Sequence, residues 1–243
     1  MEFHVLDFSE NDIETLGPEL TALVSTSCYI SNEIRVFQML YLQSVAVEPK
    51  DSTLRDAANI HRMSILRVLA AKLFEAVNGI KNFEKRIIGS KSLICRDIFN
   101  YMVSELDEIK KLPGNEVAKS LRNKATNHYV PSEVLNRSNN RSSLILERTS
   151  FMNERLGNCF SPFGEQFVFG SILDTEAESR GISVAELIDN WQDWISASGM
   201  AITESHSNLM MRVVAVSYKH LTLPTKRDDE GREGAARCKH KNG

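Results

Sequence analysis

Apolar side chains recur every three or four residues along most of this chain, which is the spacing that places them on one face of an α-helix. The first periodic segment follows Gly17-Pro18, and proline suits the first turn of a helix, where a missing N–H is no loss. The periodic side chains are Leu20, Leu23, Val24, Ser27, Ile30, Ile34, Phe37 and Tyr41. The pattern predicts a short polar turn before Gly17 and a helix from Pro18 to about Val47.

Further segments repeat the pattern and are separated by residues that end helices. The predicted helices cover residues 52–79, 93–109, 116–130, 162–179 and 183–209, with a loop and at most one short strand over 137–150. Ser183 and Glu186 form a capping-box pattern at the start of the last helix. The chain has only 12 glycines and 6 prolines, which disfavours an all-β fold. We therefore expect residues 1–215 to form one all-α domain, an antiparallel helical bundle of about five helices.

The end of the chain differs abruptly from the rest. Residues 216–225 read VSYKHLTLPT, which resembles the translated sequencing-adapter string VSYTHLTLPT with one difference at Lys219. We interpret residues 216–243 as a disordered tail that arose from sequencing or assembly, which implies that the natural chain is cut short near Ala215. A natural basic tail is the alternative. The tail holds seven of the 29 basic and four of the 32 acidic residues, so residues 1–215 hold 22 and 28 and carry a net charge of −6.

Several classes of protein lack support in this sequence. Every apolar run is interrupted by a charged residue well before the ~18 residues that a membrane helix needs, so no membrane partner is expected. Phosphate-binding glycine loops, zinc-protease motifs and hydrolase nucleophile elbows are absent from the sequence, and no metal site or cofactor is expected. The N-terminus has no signal-peptide pattern, and four cysteines lie far apart in the sequence. We therefore expect a cytoplasmic protein with reduced thiols. These cysteines are Cys28, Cys95, Cys159 and Cys238.

One short string concentrates chemically useful residues at the predicted end of the fourth helix. It reads SLRNKATNHY and contains Arg122, Asn123, His128 and Tyr129. From Lys110 to Arg148 the chain has eight basic and three acidic residues, a local charge of +5 within an acidic body. Such a stretch is typical of a site for an anion or a phosphodiester, and equally of a solvated helix face followed by a basic loop.

Helical geometry separates the two best candidates for chemistry. In a straight α-helix Arg122 and His128 diverge by about 120° and lie about 9 Å apart along the axis. They share one ligand only if the last turn unwinds or if a second chain supplies the other half. A histidine in the last turn also feels the negative end of the helix dipole, which favours its protonated form. The structural alternative is a histidine that caps the carbonyls of its own helix.

The string resembles the HEPN superfamily, α-helical bundles in which an arginine, a polar residue and then a histidine lie near a helix end. Five residues separate Arg122 from His128, within the range of that family, and Asn123 occupies the polar position. RNKATNHY is also similar to the form RNK-x-x-F-H-Y of bacterial helical proteins, with Asn127 at the aromatic position. The segment NEIRVFQMLYL, residues 32–42, is similar in character to their first long helix.

This resemblance implies metal-independent cleavage of RNA without a cofactor. It implies that Arg122 binds the scissile phosphate and that His128 acts in proton transfer at the ribose 2′-hydroxyl. Asn123 orients the pair, and Tyr129 stacks on a base. The implied RNA-binding residues are Asn123, Lys124, Tyr129 and Lys119. It also implies a homodimer in which two motifs meet, and an antitoxin partner where such proteins act in toxin–antitoxin or phage-defence pairs.

Three functions are open at this level. The leading hypothesis is a HEPN-like RNase or RNA-binding effector. The second is a non-catalytic helical module for interaction or dimerisation, as many HEPN relatives are. The third is a sensor that binds a small anion in the basic region of residues 110–148. His61 and His206 are interpreted as structural, and Trp191 and Trp194 as core or dimer packing.

Overall fold

Helices account for 91% of the residues that the computed structural model describes, which are residues 10–89, 93–126, 150 and 161–220. None of these residues lies in a strand, so the predicted all-α class is confirmed. The helices are α1 (Glu10–Val45), α2 (Ser52–Gly79), a 3₁₀ turn (Ile80–Phe83), α3 (Glu84–Ile88), α4 (Leu93–Lys110), α5 (Gly114–Leu121) with a π-helical turn (Arg122–Thr126), α6 (Pro162–Arg180) and α7 (Val184–His220). No described helix combines the length and apolar content that a membrane crossing requires.

Local sequence signals set the ends of several helices, among them the predicted capping box and an Asp51 cap that was not predicted. The Asp51 carboxylate caps α2 by accepting a 3.0 Å hydrogen bond from the Leu54 N–H. Gly181 ends α6 in the left-handed region, with φ 66°. The Ser183 hydroxyl accepts a 3.1 Å hydrogen bond from the Glu186 N–H, as the capping-box pattern predicts. The boundaries of α2 and α6 consequently agree with the prediction to within one residue.

The prediction was wrong at the start of the chain. The segment before Pro18 is helical from Glu10, and Leu16 is buried, so it is more than a polar turn. Gly17 has φ 74° and ψ 164° and kinks α1 at this point. Proline disfavours the α conformation of the residue that precedes it, and glycine adopts a positive φ without steric cost. The apolar contact of Leu16 with the core therefore extends the helix across a kink that the sequence marks as an end.

Three other differences concern the segments between and after the predicted helices. A 3₁₀ turn and the short α3 occupy residues 80–88, where no helix is predicted. The described residues form six helices of eight or more residues, one for each predicted segment, whereas about five were expected for the bundle. The helix α7 continues to His220, five residues past Ala215. The loop expected over 137–150, apart from residue 150, and the tail from 221 to 243 lie outside the described residues.

The helix α7 lies at the centre of the bundle, in contact with α1, α2, α4, α5 and α6. Trp191 and Trp194 on this helix are almost completely buried, which favours core packing of these side chains. Their rings lie beside Phe169 of α6 and Phe74 of α2, at centroid distances of 6.3 and 6.5 Å. Ring pairs at such distances add to the stability that their burial provides.

Cross-contacts show that neighbouring helices run antiparallel. Glu33 of α1 pairs with Lys72 of α2 at 2.9 Å. Further along α1, the Ser44 carbonyl accepts a 2.9 Å hydrogen bond from Arg62, which precedes Lys72 on α2. Along α1 and α7, Ser27 contacts His206, and Gln38 lies beside Gly199. In both pairs the residue number rises on one helix as it falls on the other. The expected antiparallel arrangement therefore holds for these two pairs.

Gly114 allows α5 to approach α7 closely. A Cβ atom at this position would lie 2.5 Å from Trp194 Cβ and nearer still to the backbone carbonyl of Asn190. The Asn190 carbonyl belongs to the backbone, and the Trp194 Cβ is the first atom of a buried side chain, so neither atom can move without a shift of α7. The absence of a side chain at residue 114 thus sets the distance between the two helices.

We expect Gly114→Ala to destabilise the fold by about 3 kcal/mol, because the added methyl group forces α5 away from α7. The measurement is the free energy of unfolding by urea titration of the full chain. Gly79→Ala is the matched control, because a Cβ at that helical position meets nothing within 4 Å. The control variant should be stable or gain about 0.5 kcal/mol through its helix propensity. Equal stabilities of the two variants would contradict the close approach.

Candidate functional site

Arg122 begins the π-helical turn that directly follows α5. The buried face of α5, including Val117, Ala118 and Leu121, packs in the core and leaves the Arg122 side chain 33% exposed at the edge of the bundle. The guanidinium pairs with Glu75 of α2 and donates a 2.8 Å hydrogen bond to Asn123 Oδ1. The structure therefore brings the predicted Arg122 and Asn123 together. Widened π turns inside helices are frequent at functional sites.

Arg122 lines a concavity of about 370 Å³ that α1 and α2 also border. Its other charged residues are Glu33, Lys72 and Glu75. A 2.9 Å hydrogen bond from Lys72 to Glu33 raises the pKa of the lysine. The two carboxylates of the concavity thus balance the positive charges of Lys72 and Arg122. Within the described part of the chain the buried Arg122 Nε has no hydrogen-bond acceptor, so the hydrogen-bonding capacity of the guanidinium is not fully used in this arrangement.

Lys124 points to the opposite side of the turn, toward α6. Its Nζ lies 2.9 Å from the Glu176 carboxylate, which also accepts hydrogen bonds from Ser120 at 2.6 Å and Arg180 at 3.1 Å. Only 8% of the Glu176 side chain is exposed. Burial acts to raise the pKa of Glu176, but the hydrogen bonds from Ser120, Lys124 and Arg180 outweigh it, and the pKa is lowered. Lys124 is consequently an anchor between the π turn and α6.

Acidic side chains also accompany the other described cations of the basic region. Lys110 pairs with Asp107 at 3.3 Å, Lys111 pairs with Glu108, and the exposed Lys119 lies 3.5 Å from Glu116. Among these partners, and those of Arg122 and Lys124, only Glu116 falls between residues 110 and 148. The local charge of +5 counted along the sequence is therefore partly offset in the fold. The remaining predicted residues of this region, His128 and Tyr129 among them, lie outside the described residues.

Sequence reasoning missed Glu75 and Glu176, the two carboxylates that hold the π turn from either side. Glu176 is 52 residues from Lys124, and Glu75 lies on a helix that is separated from α5 by two others. The sequence carries no local signal for these pairs, because they depend on how α2 and α6 pack against α5.

No protein family model, curated protein or solved structure matches the chain. Within residues 10–89, 93–126 and 161–220, no three His, Cys, Asp or Glu side chains are grouped so that they could hold a metal ion. The candidate site therefore rests on the residues themselves.

We expect Glu176→Gln to lower the free energy of unfolding by about 2 kcal/mol at neutral pH, because Lys124 and Arg180 lose their buried counter-charge. Because the folded pKa of Glu176 lies below its ordinary value of 4.5, the carboxylate contributes its full stability above that pH and loses it as the pH falls through the folded pKa. The free energies of unfolding of the unmodified chain and the variant, measured by urea titration, should therefore converge as the pH is lowered from neutral to acidic. The exposed Glu178→Gln on the same helix is the control. A constant difference at all pH values would contradict the role of this carboxylate.

Proposed function

We propose that this chain is a HEPN-like bacterial protein of the cytoplasm that binds RNA at Arg122 and cleaves it without a metal ion. The observation that supports the proposal is the Arg122 guanidinium, which lies partly exposed at a widened helical turn with its Nε unsatisfied by the described residues. Asn123 Oδ1 accepts a hydrogen bond from one terminal nitrogen of this guanidinium, as an orienting residue would. His128 follows six residues later in the sequence.

The ion pair between Arg122 and Glu75 is of a kind that a phosphate can replace. The Glu75 side chain is 56% exposed, and exposed ion pairs contribute little stability because water screens them. A phosphodiester that enters the concavity takes the place of Glu75 and binds the guanidinium in bidentate fashion. The buried Lys124–Glu176 pair keeps the turn in position during the exchange. The predicted RNA-binding residues Lys119 and Tyr129 complete the proposed site, Lys119 through its positive charge and Tyr129 by stacking on a base, whereas Lys124 acts through its pair with Glu176.

The proposed reaction is attack by the ribose 2′-oxygen on the adjacent phosphorus. His128 removes the 2′-hydroxyl proton as the new bond forms. The bond from phosphorus to the 5′-oxygen breaks, and that oxygen takes up a proton from water, which leaves a 2′,3′-cyclic phosphate and a 5′-hydroxyl. His128 afterwards returns its proton to water. The fixed charge of Arg122 stabilises the additional negative charge on the phosphorane. A second copy of the chain supplies the other motif.

Two substitutions of the same ion pair distinguish this function from a structural role. We expect Arg122→Gln to abolish EDTA-resistant cleavage of RNA by the full chain, and Glu75→Gln to bind RNA several-fold more tightly because the guanidinium loses its competitor. Fluorescence anisotropy with labelled RNA measures binding, and gel analysis of the 2′,3′-cyclic ends measures cleavage. His128→Ala should bind RNA but not cleave it.

The control for these measurements is Arg55→Gln, which removes an exposed arginine of α2 that pairs with Glu48 at 3.5 Å. It should behave like the unmodified chain. If Arg122 serves only to join α5 to α2, then Arg122→Gln and Glu75→Gln will have the same effect on stability and none on RNA. That result, with circular dichroism unchanged, would exclude Arg122 as the phosphate-binding residue.

A second candidate function, a non-catalytic interaction module, is favoured by the outward face of α1. Tyr29, Val36 and Leu40 are all more than 40% exposed and are spaced by seven and four residues, so they lie within about 40° of one another around the helix. We name these three residues the outer stripe. Exposed apolar stripes are typical of protein interfaces. A second copy of this chain, packed with its own outer stripe about a two-fold axis, is the proposed partner, and an antitoxin protein is the alternative.

We expect the full chain to form a dimer in sedimentation velocity experiments and Val36→Glu to be monomeric, because a buried carboxylate at the centre of the stripe would lack a partner. Leu54→Glu is the control, since Leu54 is equally exposed but lies on α2. A chain that stays monomeric at high concentration would contradict this interface. A dimer that binds no RNA would favour the interaction module over the RNase.

A further inference from the structure

A groove between α1 and α7 changes from polar to apolar along its length. Its polar part has a volume of about 450 Å³ and is lined by Asn32, Arg35, His206 and Ser207, among others. Its apolar part has a volume of about 500 Å³. Arg35 and Thr203 line both parts, so the two parts adjoin at these residues. Volumes of this size are typical of small-molecule sites.

The polar part presents an arginine and a histidine without a counter-charge. Within the described residues Arg35 makes no ion pair or hydrogen bond. His206 Nδ1 lies 3.0 Å from the hydroxyl of the buried Ser27, which orients the ring and leaves its other nitrogen for a ligand. Burial lowers the pKa of His206, and the charge of Arg35 lowers it further. Arg35 itself supplies a fixed positive charge. An anionic group would satisfy both side chains.

The apolar part begins directly beside this charge. Leu66, Leu69 and Ile195 are buried and form its floor, while the exposed Met39 and Leu42 form its rim. Lining residues on α7 extend from Gln192 to Thr203, which corresponds to about 16 Å of helix. Methionine and leucine side chains at a rim adapt to the shape of an apolar ligand.

We propose that this groove binds a small amphiphile, with one carboxylate or phosphate held by Arg35 and His206 and an apolar body that extends over Leu66 and Leu69. We choose this ligand class because an anionic head group complements the charge of Arg35 and because the apolar part of the groove lies directly beside that charge. An uncharged apolar ligand would leave the guanidinium unpaired, and an inorganic anion would leave the rim of Met39 and Leu42 in water. The groove involves none of the proposed RNA-binding residues, so the proposal stands apart from the RNase hypothesis.

Calorimetric titration of the full chain tests the proposal with four probes: decanoate, decyl phosphate, decanol and inorganic phosphate. We expect decanoate or decyl phosphate to bind at least about tenfold more tightly than decanol or inorganic phosphate. Decanol can fill only the apolar part of the groove, and inorganic phosphate can contact only the polar part. The tighter of the two amphiphiles identifies the head group as carboxylate or phosphate. Equal binding of decanol, equal binding of inorganic phosphate, or no binding of either amphiphile would overturn the proposal.

Variants locate the binding. Arg35→Gln should weaken the better amphiphile about tenfold, and Leu42→Lys should weaken it through loss of the apolar rim. Arg55→Gln is the control, because this exposed arginine lies on α2 and should leave the affinity unchanged. The unmodified chain provides an independent readout, since its His206 imidazole nitrogen signals should shift on saturation while those of the exposed His61 should not. Unchanged His206 signals, or equal effects of Arg35→Gln and Arg55→Gln, would overturn the assignment.

Discussion

Burial of the two tryptophans of α7 is the interaction on which the remaining structure depends. Five helices contact α7, and Trp191 and Trp194 lie at this common centre with almost no exposure. An isolated helix as short as α5 is unstable in water, so its position follows from the surface against which it packs. Gly114 lets α5 approach Trp194, and Val117 and Leu121 bury its face. Arg122 reaches the edge of the bundle as a consequence of this packing.

Two carboxylates with different environments hold the π turn from opposite sides. Glu176 is almost fully buried and satisfied by three donors, so its pair with Lys124 is costly to break. Glu75 is largely exposed, so its pair with Arg122 exchanges at little cost. The turn therefore combines a fixed anchor with an exchangeable arginine. This combination suits a site that must hold its geometry while a phosphate replaces a carboxylate.

The two candidate anion sites differ in how their arginines are satisfied. Arg122 already has a carboxylate partner, and a ligand must compete with it. Arg35 has no such partner among the described residues, and it lies beside a histidine whose pKa burial lowers. The first arrangement favours a polyanion, which gains from many weak contacts. The second favours a single ligand that supplies both the missing charge and the apolar surface of the groove.

The sequence by itself determined the helical class and most helix ends of the described segments, because apolar periodicity and caps such as Asp51 and Ser183 act over a few residues. It also singled out Arg122 and Asn123, which are neighbours in any conformation. Only the tertiary structure decided the charge around Arg122, because Glu75 and Glu176 come from other helices. The groove of Arg35 and His206 likewise required the packing of α1 on α7. Contacts between distant segments depend on how whole helices pack their apolar faces together, and a local sequence pattern does not specify which helices become neighbours.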